Sequence, residues 1–276
     1  KLRKKNFANL NFLKIPNIMG VLNLTPDSFS DGGKFNKNNK GSNYALKMFE
    51  SGANIIDIGG ESTRPGSKAI NNNLEWKRIE KFIKSANKKI PISLDTRKSD
   101  IMKKGIKYGV KIINDVSGLN YDIKTINVLK KYKISFVLQH SQGIPENMQN
   151  KPYYKNELLD IYDFFDEKIK SLRLIGIKHN NIIIDPGIGF GKNLKHNMNL
   201  ISNISIFHSL GLPILVGNSR KKFIKEISGK NDTKNRIGGT VASSIYLMMQ
   251  GVQILRVHDV NEILQGVKVF KELIKQ

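Results

Sequence analysis

The sequence predicts an α/β protein of the (β/α)8 TIM-barrel class, and three observations predict it. Eight short runs rich in Ile, Val and Leu recur along the chain, as expected of strands buried on both faces of a parallel sheet. Longer segments with helical periodicity separate them, so strand and helix alternate. Each run also ends in a polar or charged residue, and in this fold the C-terminal strand ends converge on one mouth.

The runs lie at 17–23, 54–59, 90–95, 111–115, 134–140, 181–185, 213–219 and 252–259. Helices are expected at about 41–51, 73–88, 98–108, 122–132, 156–178, 196–209, 234–250 and 260–275. The last of these carries Val260, Ile263, Leu264, Val267, Phe270 and Leu273, close to the i, i+3, i+4 spacing of a helix packed on a sheet. Trp76 and most of the phenylalanines read as core. The strand ends supply Asn23, Asp57, Asp95, Asn114, Gln139, Asp185, Lys221, Arg256 and His258. A packed barrel has no use for so many polar groups at one rim, so they are expected to form a site. Connections 24–40 and 60–72 are long, polar and Gly-rich. Both follow a strand, and both are expected to lie over the mouth as binding loops rather than as plain surface insertions.

With 276 residues the chain is long enough for one barrel or two small domains. It shows no linker composition and no internal repeat, so residues 1–276 read as one domain, with 1–15 a basic N-terminal extension. The absence of cysteine excludes disulfides, thiolate metal sites and a Cys nucleophile. No apolar stretch reaches the ~18 residues of a membrane span, and the first 14 residues lack an apolar signal core. A cytoplasmic protein with no membrane partner is expected. The net charge of +23 raises the question of nucleic acid. The lysines, however, are scattered over nearly every helix among Asn and Ile, which share A/T-rich codons. No nucleic-acid partner is expected, and attraction of anionic substrates is the functional residue of that charge.

Asp95, Asn114, Asp185 and Lys221 sit at the ends of the third, fourth, sixth and seventh runs. A carboxylate accepts two parallel hydrogen bonds from an N–H beside an NH2, an amide both donates and accepts, and a lysine donates to a ring carbonyl or nitrogen. The set suits a pterin or a purine; a structural salt bridge is the alternative for the two acids. The stretch DPGIGFGK, 185–192, fits no dinucleotide or P-loop pattern, and its glycines are expected to let backbone pass close to a ring. Arg256 and His258 alternate on one side of the eighth run. With Arg64 and Ser62–Thr63 they make an anion site, although an Arg-Val-His sequence alone is more often a core pair. Asn23 lies opposite and offers an oxygen to a hard cation. No hydrolase-like triad and no transition-metal ligand pattern is present, so the acids are expected to bind rather than to transfer protons.

Beside this reading, the chain closely resembles the dihydropteroate synthase family, the sulfonamide targets of folate synthesis, from about Ile18 to Lys271. The resemblance rests on MGVLNLTPDSFSDGG (19–33), DIGGESTRPGS (57–67), SLDTRK (93–98), INDVSG (113–118), GIPENMQ (143–149), DPGIGFGKN (185–193), VGNSRKKF (216–223) and RVHDV (256–260). It implies a (β/α)8 barrel that joins p-aminobenzoate to 6-hydroxymethyl-7,8-dihydropterin pyrophosphate, with Asn23, Lys221, Arg256 and His258 as its catalytic set. It implies that Asp95, Asn114, Asp185 and Lys221 hold the pterin with Gln139, Phe190 and Gly217, and that Arg256 stacks on it. Asn23 would coordinate Mg2+ on the pyrophosphate, and Thr63, Arg64, Arg256 and His258 would bind that anion. Phe29, Thr63, Pro65, Ser219, Lys221 and Lys222 would line the aminobenzoate and sulfonamide pocket. A homodimer through late helices is also implied; an apolar stripe of Ile237, Val241, Ile245, Met248 and Met249 is compatible with it and equally with core packing. Gln139 stands where the family usually carries Met, Ile188 where Phe is frequent, and Lys222 where Ser is common. A pterin-dependent methyltransferase of the same barrel family would lack the SFSDGG, STRPG and SRK segments, and a non-catalytic relative would have lost rim residues.

Overall fold

The computed structural model describes residues 6–7, 10–14, 16–25, 40–86 and 89–275. A short antiparallel hairpin, β1 (Asn6–Phe7) with β2 (Leu10–Asn11), opens the chain. Eight parallel strands follow: β3 (Asn17–Asn23), β4 (Ile55–Gly59), β5 (Ile92–Asp95), β6 (Ile112–Asp115), β7 (Ser135–Gln139), β8 (Ile182–Asp185), β9 (Leu215–Val216) and β10 (Ile254–Val257). Their order is β8-β7-β6-β5-β4-β3-β10-β9. A parallel bridge between Ile184 and Ile214 brings the two ends of the sheet together. The barrel is thus the (β/α)8 architecture that the alternation predicts.

The helices between strands are α1 (Lys40–Glu50), α2 (Asn72–Ser85), α3 (Ser99–Lys107), α4 (Lys124–Tyr132), α5 (Glu157–Leu174), α6 (Leu194–Ser202), α7 (Lys222–Ser228), α8 (Ile237–Met249) and α9 (Val260–Leu273). Asparagines start several of them. Asn71 caps α2 through the Leu74 amide, Asn156 caps α5 through Leu158 and Leu159, and Asn193 forms a capping box with His196 on α6, each worth about 1 kcal/mol. Expected ends shift where a residue breaks the pattern. The helix expected over 156–178 stops at Leu174, with Gly176 at φ 91° beyond it. The one expected over 196–209 splits at Asn203, whose side chain donates back to the Asn199 carbonyl, and a 3-10 segment, Ile204–Leu210, continues. Helix α7 was not legible, because Phe223 and Ile224 are its only buried residues. The seventh run keeps only two residues as strand: Pro213 has no N–H for the ladder, and the chain beyond Val216 turns to carry site residues.

Alternation along each strand sorts the core into two shells. Ile56, Ile58, Leu94, Phe136 and Leu138 face the helices in a large cluster with Trp76, Ile79, Phe165 and Phe207, so Trp76 is core as expected. Met19, Ile55, Ile112, Val137, Ile183, Leu215 and Ile254 fill the barrel interior. Leu10 and Phe12 are buried against this second cluster. Within the segment that reads as a basic extension, Leu10 and Phe12 thus stop the lower end of the barrel. Asn17 ties them down. Its side chain accepts from the Asn11 amide at 2.7 Å and donates to the Asn11 and Gln253 carbonyls.

The apolar stripe on α8 divides. Val241 and Ile245 pack against the core and Met248 is buried, whereas Met249 is 65% exposed beside an exposed Tyr246. Most of that stripe is therefore core packing. Among the described residues, no helix is long and apolar enough to cross a membrane.

Candidate active site

Two residues beyond the apolar layer, the same strands turn polar. Asp57, Asn114, Gln139, Asp185 and Arg256 lie at i+2 from Ile55, Ile112, Val137, Ile183 and Ile254, and so share the inward side. Arg256 is the hub. Its Nε donates to Asp57 Oδ2 at 2.6 Å and its Nη2 to Asp95 Oδ2 at 3.0 Å. Asn114 Nδ2 donates to the same Asp57 oxygen at 3.0 Å. The structural pair foreseen as an alternative for Asp95 is therefore present, with Arg256 as partner. One guanidinium faces two buried carboxylates. Burial raises Asp95 above the ordinary carboxylate range, against Arg256 and with the neighbouring Asp57 adding to it. Arg256 is disfavoured by burial, yet the two acids hold its pKa above its ordinary value.

Asp185 ends β8 differently. Its Oδ1 accepts from the Gly187 amide at 2.8 Å. Burial pushes it up to about 6, opposed by that amide and by Lys221, Arg256 and Lys192. Lys221 holds the position before the first turn of α7 and carries its Nζ 4.3 Å from the Phe190 ring centroid, a cation–π distance. Burial lowers it to about 8, with Asp185 opposing the fall and Arg256 adding to it. In the buried layer Asp57 Oδ1, Asn114 Oδ1 and Gln139 Nε2 have no hydrogen-bond partner. Buried polar atoms are normally satisfied, so this layer is built for a polar ligand.

The glycines of 185–192 permit close approaches within the protein. A Cβ on Gly187 would lie 1.9 Å from the His140 carbonyl oxygen, and φ there is +71°. A Cβ on Gly189 would meet the Lys221 stem at 3.3 Å. The close approaches are to neighbouring backbone and to Lys221, and only through Lys221 to the site.

On the other side of the mouth, Ser219 Oγ accepts from the His258 amide at 3.2 Å and lies 3.1 Å from His258 Nδ1. Burial first, then Arg220, Arg256, Arg64 and Lys221, hold His258 well below its usual pKa. Arg64, Arg220, Arg256 and Lys221 all act on this one imidazole, so positive charge is concentrated at this part of the mouth. Thr63 is half-buried and Pro65 exposed on the same loop. A buried ion cluster roots that loop: Glu61 pairs with Arg97 at 2.8 Å and with Lys98 at 2.9 Å, and Lys98 reaches Glu75 at 2.6 Å. Lys98 also donates to the Ile70 carbonyl.

Asn23 ends β3 on the inward side, between β4 and β10. Among the described residues no group of three His, Asp or Glu side chains forms a metal cage. A hard cation on one amide oxygen would need bound polyphosphate and water for its other ligands, which is how Mg2+ is usually held, so Asn23 fits such an ion.

Not every expected residue joins the site. Lys222 has a side chain 76% exposed and pairs with Glu226 on its own helix at 3.1 Å. Gly217 contributes backbone with open space around it. Phe29 lies outside the described residues, as does most of the first long loop. Residues given no role in advance include Asp57 as a clamp, the Glu61–Lys98 cluster, Lys192, and the Arg220–Asp259 pair that joins the ends of β9 and β10. Only Asp57 carried a signal, its inward parity on a strand.

A sequence profile described as pterin binding enzyme matches residues 19–258. The chain is 38% identical to a dihydropteroate synthase of Synechocystis, over 91% of this chain and 88% of that one. It superposes on a crystal structure of Yersinia pestis dihydropteroate synthase in complex with a sulfonamide drug at a TM-score of 0.92, with 37% identity and 97% of each chain covered. A Xanthomonas albilineans dihydropteroate synthase structure with 4-aminobenzoic acid gives 0.85 at 33% identity, covering 96% of this chain and 94% of that one. This chain belongs to the dihydropteroate synthase family of pterin-binding transferases.

Proposed function

We propose that this chain condenses p-aminobenzoate with 6-hydroxymethyl-7,8-dihydropterin pyrophosphate, giving 7,8-dihydropteroate and pyrophosphate, and that the inward polar layer is where it does so. One observation carries the placement: buried acceptors and donors, three of them without partners, line the barrel beneath a cluster of cations. Asp185 and Asp95 accept from the guanidine-like edge of the pterin, Asn114 and Gln139 meet its mixed edges, and Lys221 donates to it, with the Gly217 backbone and the Phe190 ring alongside. Arg256, gripped by Asp57 and Asp95, offers its flat face to the ring.

The reaction is substitution at a methylene carbon. The bond to pyrophosphate breaks, and the aniline nitrogen supplies the new pair. That nitrogen is neutral at pH 7, so no strong general base is called for. Thr63, Arg64, Arg256 and His258 bind the leaving group, and preorganised donors there stabilise the growing charge. Mg2+ bound through Asn23 would supply further charge neutralisation to the pyrophosphate. Ser219, Lys221 and the Thr63–Pro65 loop form the aminobenzoate pocket, to which Phe29 is also assigned. Sulfonamides compete there, a reading supported by the drug and 4-aminobenzoic acid complexes of the relatives. The exposed Tyr246 and Met249 of α8, with Val269 and Leu273 of α9, are the face for a homodimer; a monomer mass in light scattering at micromolar concentration would overturn that assembly.

A coupled pyrophosphate-release assay tests the function. Release is expected only when both substrates are present, and no release with both, Mg2+ included, would overturn it.

A further inference from the structure

We propose that Lys192 is a positioning residue: by holding the Phe190 carbonyl and the His140 ring it fixes the Phe190 ring beneath the Lys221 ammonium, and so sets the wall of the pterin slot. The inference rests on the function proposed above and adds a residue to it.

Lys192 is 2% exposed. Its Nζ lies 3.0 Å from His140 Nδ1 and 3.0 Å from the Phe190 carbonyl oxygen, with the Tyr154 ring centroid at 5.9 Å. All of these partners are neutral. Burial pulls the ammonium down to about 7, with Asp185 opposing the shift and Lys221 adding to it. A cation placed in an apolar setting without a bonded carboxylate is costly, and an apolar side chain of equal volume would fill the space at less cost. The reason for a lysine lies in what it ties.

The segment 186–191, Pro-Gly-Ile-Gly-Phe-Gly, has no polar side chain of its own. Its shape is imposed from outside. Gln149 donates to the Gly189 carbonyl at 2.6 Å, Tyr154 to Gly191 at 2.9 Å, and Asn197 accepts from the Gly189 amide at 2.7 Å. Lys192 alone among these side chains is tied to Phe190 itself. The Phe190 ring in turn lies 4.3 Å from Lys221 Nζ. His140 follows Gln139 at the end of β7 and packs edge-on against Phe164, ring centroids 5.0 Å apart, so the second anchor is rigid. The chain of contacts runs from a fixed imidazole, through Lys192, to the ring that lies against Lys221.

Lys192→Met keeps the length and volume and removes both bonds. It is expected to raise the KM for the pterin substrate about tenfold, the size of one lost bond to a charged donor. The KM for p-aminobenzoate and kcat are expected to change less than about threefold. The thermal midpoint is expected to stay level or rise. In a Phe190→Leu background the effect of Lys192→Met is expected to vanish, because there is no ring left to position. Equal rises in both KM values, or full additivity with Phe190→Leu, would overturn the proposal. Should Lys192→Met not fold, Lys192→Gln is read the same way, and failure of both to fold would make the residue structural and overturn it too. Wild type is assayed in parallel: no condensation there removes the functional reading itself, whereas condensation with an unchanged pterin KM in the variant removes only this inference.

Discussion

The lower and upper halves of the barrel interior are built on the same strands, two residues apart. Below, Met19, Ile55, Ile112, Val137, Ile183, Leu215 and Ile254 close on Leu10 and Phe12. Above, Asp57, Asn114, Gln139, Asp185 and Arg256 occupy the next inward positions, and three of these side chains keep a buried atom without a partner. The lower half gains stability from burial of apolar area. The upper half concentrates desolvated charge, which raises Asp185 and lowers Lys221 and which a stable core alone would not contain. The difference teaches where a substitution is felt: below, as stability with the substrate constants intact; above, as binding and turnover with the fold intact.

The strongest test of that division is Asp185→Asn. It replaces a two-bond acceptor with a part-donor in a dry slot, and is expected to abolish turnover and to cost ~2–5 kcal/mol in pterin affinity. Unchanged pterin binding by calorimetry would break the assignment. The counterpart below is Leu10→Ala, at a side chain 1% exposed. It is expected to lower unfolding free energy by about 2–4 kcal/mol in urea while leaving both KM values unchanged. A shift in either KM would show that the two halves are coupled.

The pH profile sharpens the upper half. Asp185, raised to about 6, loses its acceptor pair when protonated, and Lys221, lowered to about 8, loses its charge when deprotonated. The profile of kcat/KM is expected to be bell-shaped, falling about tenfold per unit below the first value and above the second. A profile flat from pH 5 to 9 would remove both groups from the reaction. The smallest effect is expected at Lys222, which is exposed and paired with Glu226. Lys222→Ser is expected to change the KM for p-aminobenzoate by less than about twofold, an exposed pair being worth under ~1 kcal/mol. A larger change in the sulfamethoxazole inhibition constant would place the Lys222 stem along the drug tail.

The family motifs and the polar strand ends made the barrel and most of the rim legible in advance. Legibility failed where a partner is distant in sequence. Arg256 reads as an anion ligand, yet it is clamped by Asp57, 199 residues away, and by Asp95, 161 residues away. Lys192 reads as the tail of a glycine motif, and its role depends on His140, 52 residues back. Lys222 reads as a pocket residue from its neighbours Ser219 and Lys221, but the first turn of α7 rotates it outward.

By itself the sequence determined the period of the fold and the chemistry available at each strand end, because inward and outward positions alternate along a strand whatever the rest of the chain does. It also determined several helix starts, since an asparagine cap acts within three residues. Only the tertiary structure decided which charges meet. Strand order and stagger set the distances among Asp57, Asp95 and Arg256 and between Lys192 and His140. Electrostatic energy depends on those distances and on burial, neither of which a linear sequence contains.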